Sequence, residues 1–209
     1  YNNKKFSRHE IDELINNVYL KLKPYLNNNK NVLDIGCGTG LVLEKIAPYV
    51  NNYHAVDISK NAIELARKNI GAKGFKNIKL EVMDSDGIKY LSKKKYDIII
   101  INSIVQFFPN FYYLNNFLKQ VFELLRNDGV LFIGDIRDRD KQIGFYKSLA
   151  KGKSDKNFVS SKLNTEQELF IPKSYFSDFC RHNNKDFEIT KKIGKIKNEL
   201  LLYRYDVIL

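Results

Sequence analysis

Hydrophobic residues along the chain follow two spacings, and the two spacings alternate. Short apolar runs without helical spacing predict five strands, at residues 31–35, 53–57, 78–83, 97–101 and 130–135. Between them, apolar residues at helical spacing predict helices, as at Ala62, Ile63, Ala66 and Ile70 and again from Leu114 to Leu125. The four isoleucines at 98–101 show no polar alternation, which predicts a strand buried on both faces, as in a parallel sheet.

The two ends of the chain add one helix and two strands to this alternation. A capping box at residues 7–10 (SRHE) precedes apolar positions at helical spacing, and Pro24 ends the predicted helix. Segments 186–193 and 200–209 predict a hairpin-like pair of strands. The whole pattern predicts one α/β domain over residues 1–209, with a doubly wound, mostly parallel seven-stranded sheet and an antiparallel C-terminal strand.

Composition places the chain among ordinary globular proteins. Of its 209 residues, 44% are hydrophobic and 28% are charged, and no apolar run approaches the ~20 residues of a membrane-spanning helix. Cys37 and Cys180 form no disulfide framework and no metal-ligand spacing, so we expect no metal, no membrane partner and a cytoplasmic location. Because Tyr1 stands first and no leader-like pattern follows it, we expect a trimmed chain or a piece of a longer protein.

The net charge of +11 raises the question of a nucleic-acid partner. The lysines are spread along the chain, however, and short runs such as residues 93–95 (KKK) are typical of solvated loops. The charge pattern therefore disfavours a nucleic-acid partner. A diffuse positive field also suits an acidic partner or a phosphate-bearing carrier.

A glycine-rich turn follows the first predicted strand and leads into a helix that we expect to reach about Pro48. The turn comprises Asp34, Ile35, Gly36, Cys37, Gly38, Thr39 and Gly40. Its glycines let the backbone pass close to a ligand at a helix N-terminus. Their spacing is G-x-G-x-G, whereas dinucleotide sites have G-x-G-x-x-G. The carboxylate of Asp34 would repel a pyrophosphate but attract an ammonium or a sulfonium group.

Acidic residues also follow the next two strands. Asp57, with Ile58 after it, ends the second strand about twenty residues beyond the turn, where a carboxylate can accept two ribose hydroxyls. Asp84, Ser85 and Asp86 follow the third strand and can receive an adenine amino group. A cationic adenosine compound without phosphates fits all three groups of acids, and S-adenosylmethionine is such a compound. The alternative is a glycine turn with unrelated surface acids.

With these residues the chain resembles the class I methyltransferases, and four later segments narrow the resemblance. They read INSIVQFFP, VLFIGDIR, EQELFIPKSYF and NELLLYRYDVIL, at residues 101–109, 130–137, 166–176 and 198–209. These segments resemble the methyltransferase domains that are embedded in nonribosomal peptide synthetases. The opening pattern of that family is matched by Tyr1, Phe6, Glu10 and Ile11. The resemblance covers essentially the whole chain and implies a Rossmann-like class I fold with S-adenosylmethionine as the cofactor.

The resemblance also implies a reaction and its partners. Those domains methylate, most often at nitrogen, an aminoacyl or peptidyl group that is held as a thioester on a carrier protein. The implied substrate is therefore an amine-bearing small molecule or a carrier-tethered amine in secondary metabolism, with synthetase domains in cis or in trans. Related free-standing enzymes exist, so both arrangements stay open.

Three regions depart from the family pattern. Phe107 stands where the family usually has tyrosine, which removes a hydroxyl from the mouth of the pocket. Ser7 and Asn3 replace a usual proline and glycine within residues 1–27, which we expect to form a helical lid. The expected substrate-side insertion, at residues 140–175, carries no recognisable pattern in its first part, where substrate choice would lie.

Polar and aromatic residues follow the isoleucine strand directly. The resemblance implies that the backbone carbonyl of Asn102, beside Ser103, holds the methionine ammonium of the cofactor. It also implies that Gln106, Phe107 and Phe108 face the transferable methyl group. The alternative for Phe108 is a place in the core beneath the following helix, because one of two adjacent side chains points inward.

Methyl transfer needs an aligned nucleophile more than it needs elaborate chemistry. Of the histidines, His54 lies near a strand start, His182 lies in an asparagine-rich loop, and His9 could reach the site only as part of the lid. This lack of a well-placed base favours an amine, which loses its proton near pH 8, about its reference pKa.

The acids that could steer an acceptor ammonium and take its proton are Asp135, at the end of the fifth strand, and Glu168. Our hypothesis is that Asp135 orients the acceptor amine. Arg137 could pair with either acid or hold a substrate carbonyl, and a structural salt bridge between Arg137 and Asp135 is the alternative. Arg204 and Asp206, in the last strand, are expected to stabilise the sheet.

Other reactions and classes stay open as alternatives. O- or C-methylation of a small molecule or polyketide intermediate is the first. An RNA methyltransferase is the second, although the chain contains no Asn-Pro-Pro-aromatic sequence and no Pro-Cys nucleophile. A non-catalytic docking domain is the third, and a nicotinamide oxidoreductase is the last because the glycine spacing disagrees.

Overall fold

A computed structural model provides the fold of the chain. It describes residues 6–71, 73–91, 95–150 and 156–209, the side chain of Lys156 excepted. Tyr1 and Asn3, with the start of the expected lid, lie outside the described residues, as do Lys93 and Lys94 of the lysine run and residues 151–155 of the expected insertion.

The described residues form seven strands and eight α-helices. The strands are β1 (Asn31–Ile35), β2 (Asn52–Asp57), β3 (Ile78–Val82), β4 (Tyr96–Asn102), β5 (Leu125–Arg137), β6 (Glu188–Lys191) and β7 (Arg204–Ile208). The helices are α1 (Arg8–Leu22), α2 (Leu41–Ile46), α3 (Lys60–Gly71), α4 (Phe111–Leu124), α5 (Gln142–Leu149), α6 (Lys156–Thr165), α7 (Lys173–His182) and α8 (Glu199–Leu202). None of the described helices combines the length and the apolar composition that a membrane crossing requires.

All seven strands belong to one sheet, in the order β3-β2-β1-β4-β5-β7-β6. The first five strands are parallel, and β7 runs antiparallel to both of its neighbours. The predicted doubly wound sheet and its antiparallel C-terminal strand are therefore confirmed. The strand order reverses between β1 and β4, so that a crevice is expected beyond the carboxyl ends of these two strands.

The isoleucine strand is buried on both faces, as its pattern predicts. Ile98 and Ile100 pack into the cluster that contains residues of α1, α2 and α3. Ile99 and Ile101 pack into the cluster that contains residues of α4 and α7. Apolar residues pack on both sides because helices cover both faces of the parallel part of the sheet.

The first helix begins where the capping box predicts. Ser7 accepts a hydrogen bond from the backbone N–H of Glu10, whose side chain accepts one from the backbone of Ser7. The helix ends at Leu22, and Pro24 lies in a following 3-10 turn. The expected helix up to Pro48 is shorter, because α2 ends at Ile46 and the last residues form a 3-10 turn.

Two other regions differ from their predictions. The last predicted strand begins at Arg204, because Asn198 caps the short helix α8 by accepting a hydrogen bond from Leu201 N–H. The patternless part of 140–175 contains α5 and α6, which the sequence analysis did not predict. These helices have weakly segregated apolar faces, so their residues show no clear helical period.

Candidate active site

A cavity of about 240 Å³ lies beyond the carboxyl ends of β1 and β4. Its walls are the glycine turn, with Asp34, Gly36, Cys37, Gly38 and Thr39, the strand-end residues Asn102 and Ser103, and apolar side chains of α1 and α2. The structure thus brings together residues that the sequence analysis assigned to a cofactor site. A larger cavity of about 500 Å³ lies at the opposite edge, around the starts of β1, β2 and β3, where open α/β sheets do not place their ligands.

The glycine turn requires glycine at its first position. Gly36 has a φ of +80°, and a Cβ added there would lie 2.4 Å from Cγ2 of Ile104. The turn is also tied to β2, because the backbone N–H of Gly38 donates to Asp57 Oδ2 at 2.8 Å. The other oxygen of Asp57 accepts a hydrogen bond from Ser59 N–H at 2.8 Å. Asp57 therefore fixes the distance between the turn and the end of β2, where Ile58 is exposed.

Asp34 is buried beneath the cavity and contacts no cation among the described residues. Its carboxyl group is 2% exposed and accepts a hydrogen bond from the hydroxyl of Tyr53 at 2.9 Å. Burial raises the pKa of Asp34 to about 7, the hydrogen bond from Tyr53 opposes the rise, and the negative charge of Asp57 adds to it. Burial also raises the pKa of the Cys37 thiol. A large fraction of Asp34 is therefore protonated at neutral pH in the free protein.

The acids after β3 contact the first turn of α4. The hydroxyl of Tyr113 lies 2.5 Å from Ser85 Oγ and donates to Asp86 Oδ1 at 3.1 Å. Asp84 Oδ1 accepts a hydrogen bond from Gly87 N–H. Asp84 and Asp86 are exposed at the strand end. Their predicted contact with an adenine amino group stays a prediction.

The ends of β4 and β5 leave the sheet through residues in a left-handed conformation. Ser103 and Asp135 both have a φ of 63°, which is uncommon for residues other than glycine. The two residues hold each other in place, because Ser103 Oγ donates to Asp135 Oδ2 at 2.8 Å and Ser103 N–H donates to Gly134 O at 3.0 Å. Backbone strain of this kind costs of order 1 kcal/mol or more and concentrates at functional sites.

Asp135 is as buried as Asp34, but it is paired with two cations. Its carboxylate lies 2.5 Å from Arg204 and 3.4 Å from Lys192. Burial alone would raise the pKa of Asp135, but the charges of Arg204 and Lys192 and the hydrogen bond from Ser103 outweigh it and hold the pKa at about 2. The alternative pairing with Arg137 is therefore wrong. The fifth strand is irregular between Ile133 and Ile136, so the alternation that would have put both side chains on one face is broken there.

Asp206 connects this region to the first helix. Its carboxylate accepts hydrogen bonds from Asn17 at 2.8 Å and Lys21 at 2.5 Å, both on α1, and from Lys192 at 3.0 Å. It also accepts the backbone N–H of Asp135 at 2.7 Å. The expected role of Asp206 in the sheet is thus extended, because this residue also anchors the helix that lines the cavity.

Arg137 and Glu168 contact each other. Arg137 Nε donates to Glu168 Oε2, and its guanidinium lies 5.3 Å from the ring centroids of Phe145 and Phe170. The side chain of Arg137 is 5% exposed. Arg137 therefore joins β5 to the region of α5, and its predicted contact with a substrate carbonyl stays a prediction.

Gln106 and the two phenylalanines differ in exposure. Gln106 Nε2 donates to Ser103 O at 2.9 Å, while the buried Gln106 Oε1 has no hydrogen-bond partner among the described residues. Phe107 is 68% exposed, whereas Phe108 is buried with its ring edge-on to Phe117, 4.9 Å between centroids. The core interpretation of Phe108 is therefore confirmed.

The three histidines lie outside the lining of the cavity. His54 is buried at the amino-terminal side of the sheet, with its ring nitrogens 2.7 Å from the Tyr96 hydroxyl and 2.5 Å from Glu81. His182 contacts the carbonyl of Asp178, and His9 is exposed on α1. None of them is among the residues that line the cavity.

The sequence analysis missed several residues that shape the site. Tyr53 is one of them. Ala55 is the register partner of Asp34, and Tyr53 lies two residues before Ala55, so the side chains of Tyr53 and Asp34 lie on the same face of the sheet. The strand pattern could therefore have indicated Tyr53. Lys192, Lys21 and Tyr113 are the others. They lie far from their partners along the chain, and no local pattern indicates them.

The chain is similar to known proteins in sequence. Residues 26–200 match the family described as "Methyltransferase domain". Chondramide synthase of Chondromyces crocatus is 35% identical over 191 residues, which cover 86% of this chain and 5% of that protein. The beauvericin nonribosomal cyclodepsipeptide synthetase of Beauveria bassiana is 31% identical over 195 residues, which cover 85% of this chain and 6% of that protein. The chain thus spans a small part of the length of these relatives.

Solved structures share its fold. An S-adenosylmethionine-dependent methyltransferase from Clostridium acetobutylicum aligns with a TM-score of 0.68 at 17% identity, over 94% of this chain and 90% of that one. The N-methyltransferase NodS from Bradyrhizobium japonicum, in complex with S-adenosyl-L-homocysteine, aligns with a TM-score of 0.64 at 15% identity, over 97% and 86%. At these identities the likeness establishes the fold alone, and it agrees with the class of fold that the sequence predicts.

Proposed function

Because the chain belongs to the methyltransferase domain family, we propose that it methylates the amine of an aminoacyl or peptidyl group with S-adenosylmethionine as the methyl donor. The amine is held as a thioester on a carrier protein. Synthetase domains in cis or in trans supply this carrier, as the similarity to the beauvericin nonribosomal cyclodepsipeptide synthetase supports.

The residues around the cavity fit this cofactor. Asp34 is a buried acid that contacts no cation in the described parts of the chain, and it lines the cavity together with the glycine turn. Asp57, with Ile58, stands at the end of β2 for the ribose, and residues 84–86 stand at the end of β3 for the adenine. Asn102 and Ser103 complete the site. S-adenosylmethionine supplies an electrophilic methyl group on a sulfonium, and the chain supplies binding and alignment.

One observation carries the choice of an amine as the acceptor. The two acids considered as bases for the acceptor are already paired with cations, because Asp135 pairs with Arg204 and Glu168 pairs with Arg137. An acid with a pKa of about 2, such as Asp135, stays an anion and is a poor proton acceptor. A hydroxyl or carbon acceptor needs a base, whereas a neutral amine brings its own lone pair.

The remaining assigned residues position the acceptor in this proposal. Asp135 acts through Ser103, whose hydroxyl it orients at the edge of the cavity. The buried amide oxygen of Gln106 has no hydrogen-bond partner among the described residues, and in this proposal it accepts an N–H of the acceptor amine. Arg137 and Glu168 hold the segment before α7 against β5, at the expected substrate side.

The experiment compares acceptors that offer nitrogen, oxygen or carbon to the methyl group. The protein is incubated with S-adenosylmethionine and N-acetylcysteamine thioesters that carry an α-amino, an α-hydroxy or a β-keto group, and tandem mass spectrometry locates the added methyl. We expect methylation at nitrogen of the aminoacyl thioester. Methylation at oxygen or carbon, or of added RNA instead, would contradict the proposal.

A matched pair of variants ties the activity to the cavity. Asp57→Asn removes a carboxylate from the ribose end, and we expect its affinity for S-adenosylhomocysteine to fall at least about tenfold, the usual effect of losing a charged hydrogen bond. Asp186→Asn removes one negative charge from an exposed position of the chain and serves as the control. Equal affinity in both variants would argue against the assigned cofactor site.

A further inference from the structure

Asp34 differs from every other buried carboxylate among the described residues. Five aspartates are buried: Asp34, Asp97, Asp135, Asp138 and Asp206. Four of them have a basic partner, at 3.6 Å for Asp97 (Lys30), 2.5 Å for Asp135 (Arg204), 2.8 Å for Asp138 (Lys173) and 2.5 Å for Asp206 (Lys21). Within the part of the chain that the structure describes, Asp34 has the hydroxyl of Tyr53 as its side-chain partner and no basic residue. Because isolated buried charges are costly, buried acids are normally paired, and Asp34 lacks that partner.

Among the described residues, the groups around Asp34 supply no cation from any of the elements packed against it. Strand β2 contributes the hydroxyl of Tyr53 and the carboxylate of Asp57, and the glycine turn contributes the Cys37 thiol. Strand β4 contributes Ile100 as register neighbour and, at its end, the uncharged Asn102 and Ser103. Helix α1 contributes the apolar side chains of Ile11, Leu14 and Ile15 to the same cavity.

We propose that Asp34 keeps a proton in the free protein and releases it to solvent when a positively charged group of the cofactor enters the cavity. Asp34 then makes the cavity select positively charged ligands. In the free protein the proton is held by the hydrogen-bonded pair of Asp34 and Tyr53. This inference rests on the proposed use of S-adenosylmethionine. It adds that the cofactor takes the place of the lysine or arginine that the other buried aspartates have.

Thermodynamic linkage gives the direction in which the affinity for the cofactor changes with pH. Burial raises the pKa of Asp34 to about 7 in the free protein, and a bound cation lowers it. Binding therefore releases protons below about pH 7 and none well above it. Affinity rises with pH by close to tenfold per unit up to about pH 7 and then levels off, until the ammonium of the ligand loses its own proton at about pH 8.

The experiment measures protons rather than turnover. Isothermal titration calorimetry at about pH 6, in buffers of different ionisation enthalpy, gives the number of protons released per nucleoside bound. The ligands are S-adenosylmethionine, with an ammonium and a sulfonium, S-adenosylhomocysteine, with the ammonium alone, and methylthioadenosine, with neither. We expect close to one proton for S-adenosylmethionine and none for methylthioadenosine.

S-adenosylhomocysteine identifies the responsible group. Proton release with this ligand assigns the effect to the ammonium, and its absence assigns the effect to the sulfonium. Equal release with methylthioadenosine, or no release with S-adenosylmethionine despite binding, would overturn the proposal. If no nucleoside bound at all, the proposed function would fail instead, so the two failures are distinguishable.

Three variants test the residues themselves. Asp34→Asn has the shape of the protonated acid, and we expect it to bind with no proton release and with affinity independent of pH. Tyr53→Phe removes a hydrogen bond that lowers the pKa of Asp34, so release should persist to higher pH than in the unmodified protein. Asp186→Asn, at an exposed site, should match the unmodified protein. Undiminished release in Asp34→Asn would overturn the assignment.

Discussion

Asp34 and Asp135 stand near the carboxyl ends of β1 and β5, and both carboxyl groups are almost fully buried, at 2% and 1% exposure. Their environments have opposite effects. Arg204 and Lys192 surround Asp135 and hold its pKa at about 2, whereas no cation contacts Asp34 among the described residues and its pKa rises to about 7. Partners rather than depth of burial therefore decide the charge of a buried acid.

In our proposal the two acids have different roles, because Asp135 anchors the structure and Asp34 receives the positive charge of the cofactor. Asp135 belongs to an ion network in which Asp206 also binds Lys21 of α1, so the cavity wall and the strand ends form one structure. Asp34 has no such network and lines the cavity itself. A protein can keep an uncompensated buried acid where a ligand provides the compensation, and unfavourable groups of this kind concentrate at functional sites.

The largest expected effect on stability comes from replacing Asp135. Asp135→Asn leaves Arg204 and Lys192 facing a neutral amide, and we expect the free energy of unfolding to fall by about 3–5 kcal/mol, as when one partner of a buried pair is removed. Urea unfolding at neutral pH measures it. Asp178→Asn removes an exposed ion pair with Arg181 and should change stability by less than about 1 kcal/mol. Similar values for both variants would make the network irrelevant to stability.

Replacing Asp34 should have the opposite effect on stability. The pKa of Asp34 is raised in the folded state, so the protein loses stability as pH rises from about 4 to 7, and Asp34→Asn does not. We therefore expect Asp34→Asn to unfold at higher urea concentration near neutral pH, with a gain of about 2–4 kcal/mol that disappears below about pH 4. A destabilised variant at every pH would contradict the comparison.

The smallest expected effect on stability comes from removing the Tyr53 hydroxyl, which contacts Asp34. Tyr53→Phe removes the single hydrogen bond to Asp34 and should lower the free energy of unfolding by about 1 kcal/mol. The loss should be greater at high pH, because a hydrogen bond to an ionised carboxylate is stronger than one to a neutral acid. Chemical unfolding at two pH values checks this, and a loss that is larger at low pH would contradict it.

Local patterns predicted the sheet and the proximity of three residues that we assign to the cofactor site. The run of isoleucines predicted that β4 lies in the interior, as observed. The rule that ligands bind beyond the ends of parallel strands predicted that Asp34, Asn102 and Ser103 lie close together, and they line one cavity. These predictions succeeded because strand burial and strand ends are properties of short segments.

The partners of these residues could not be predicted in the same way. Arg204 lies 69 residues from Asp135 along the chain, and no local spacing records that contact. The wrong pairing of Asp135 with Arg137 assumed regular alternation, which the irregularity in β5 and the left-handed Asp135 break. Helix α8 replaced the first residues of the last predicted strand, because the cap by Asn198 outweighed the apolar run after it.

The most direct measurement is the titration of the Asp34 carboxyl carbon by nuclear magnetic resonance, in the free protein and with S-adenosylmethionine bound. We predict a pKa of about 7 for Asp34 in the free protein and a pKa lowered by at least about two units in the complex. A carboxyl that is already ionised at about pH 4 in the free protein, or whose pKa does not change when the cofactor binds, would contradict the claim that Asp34 receives the cation.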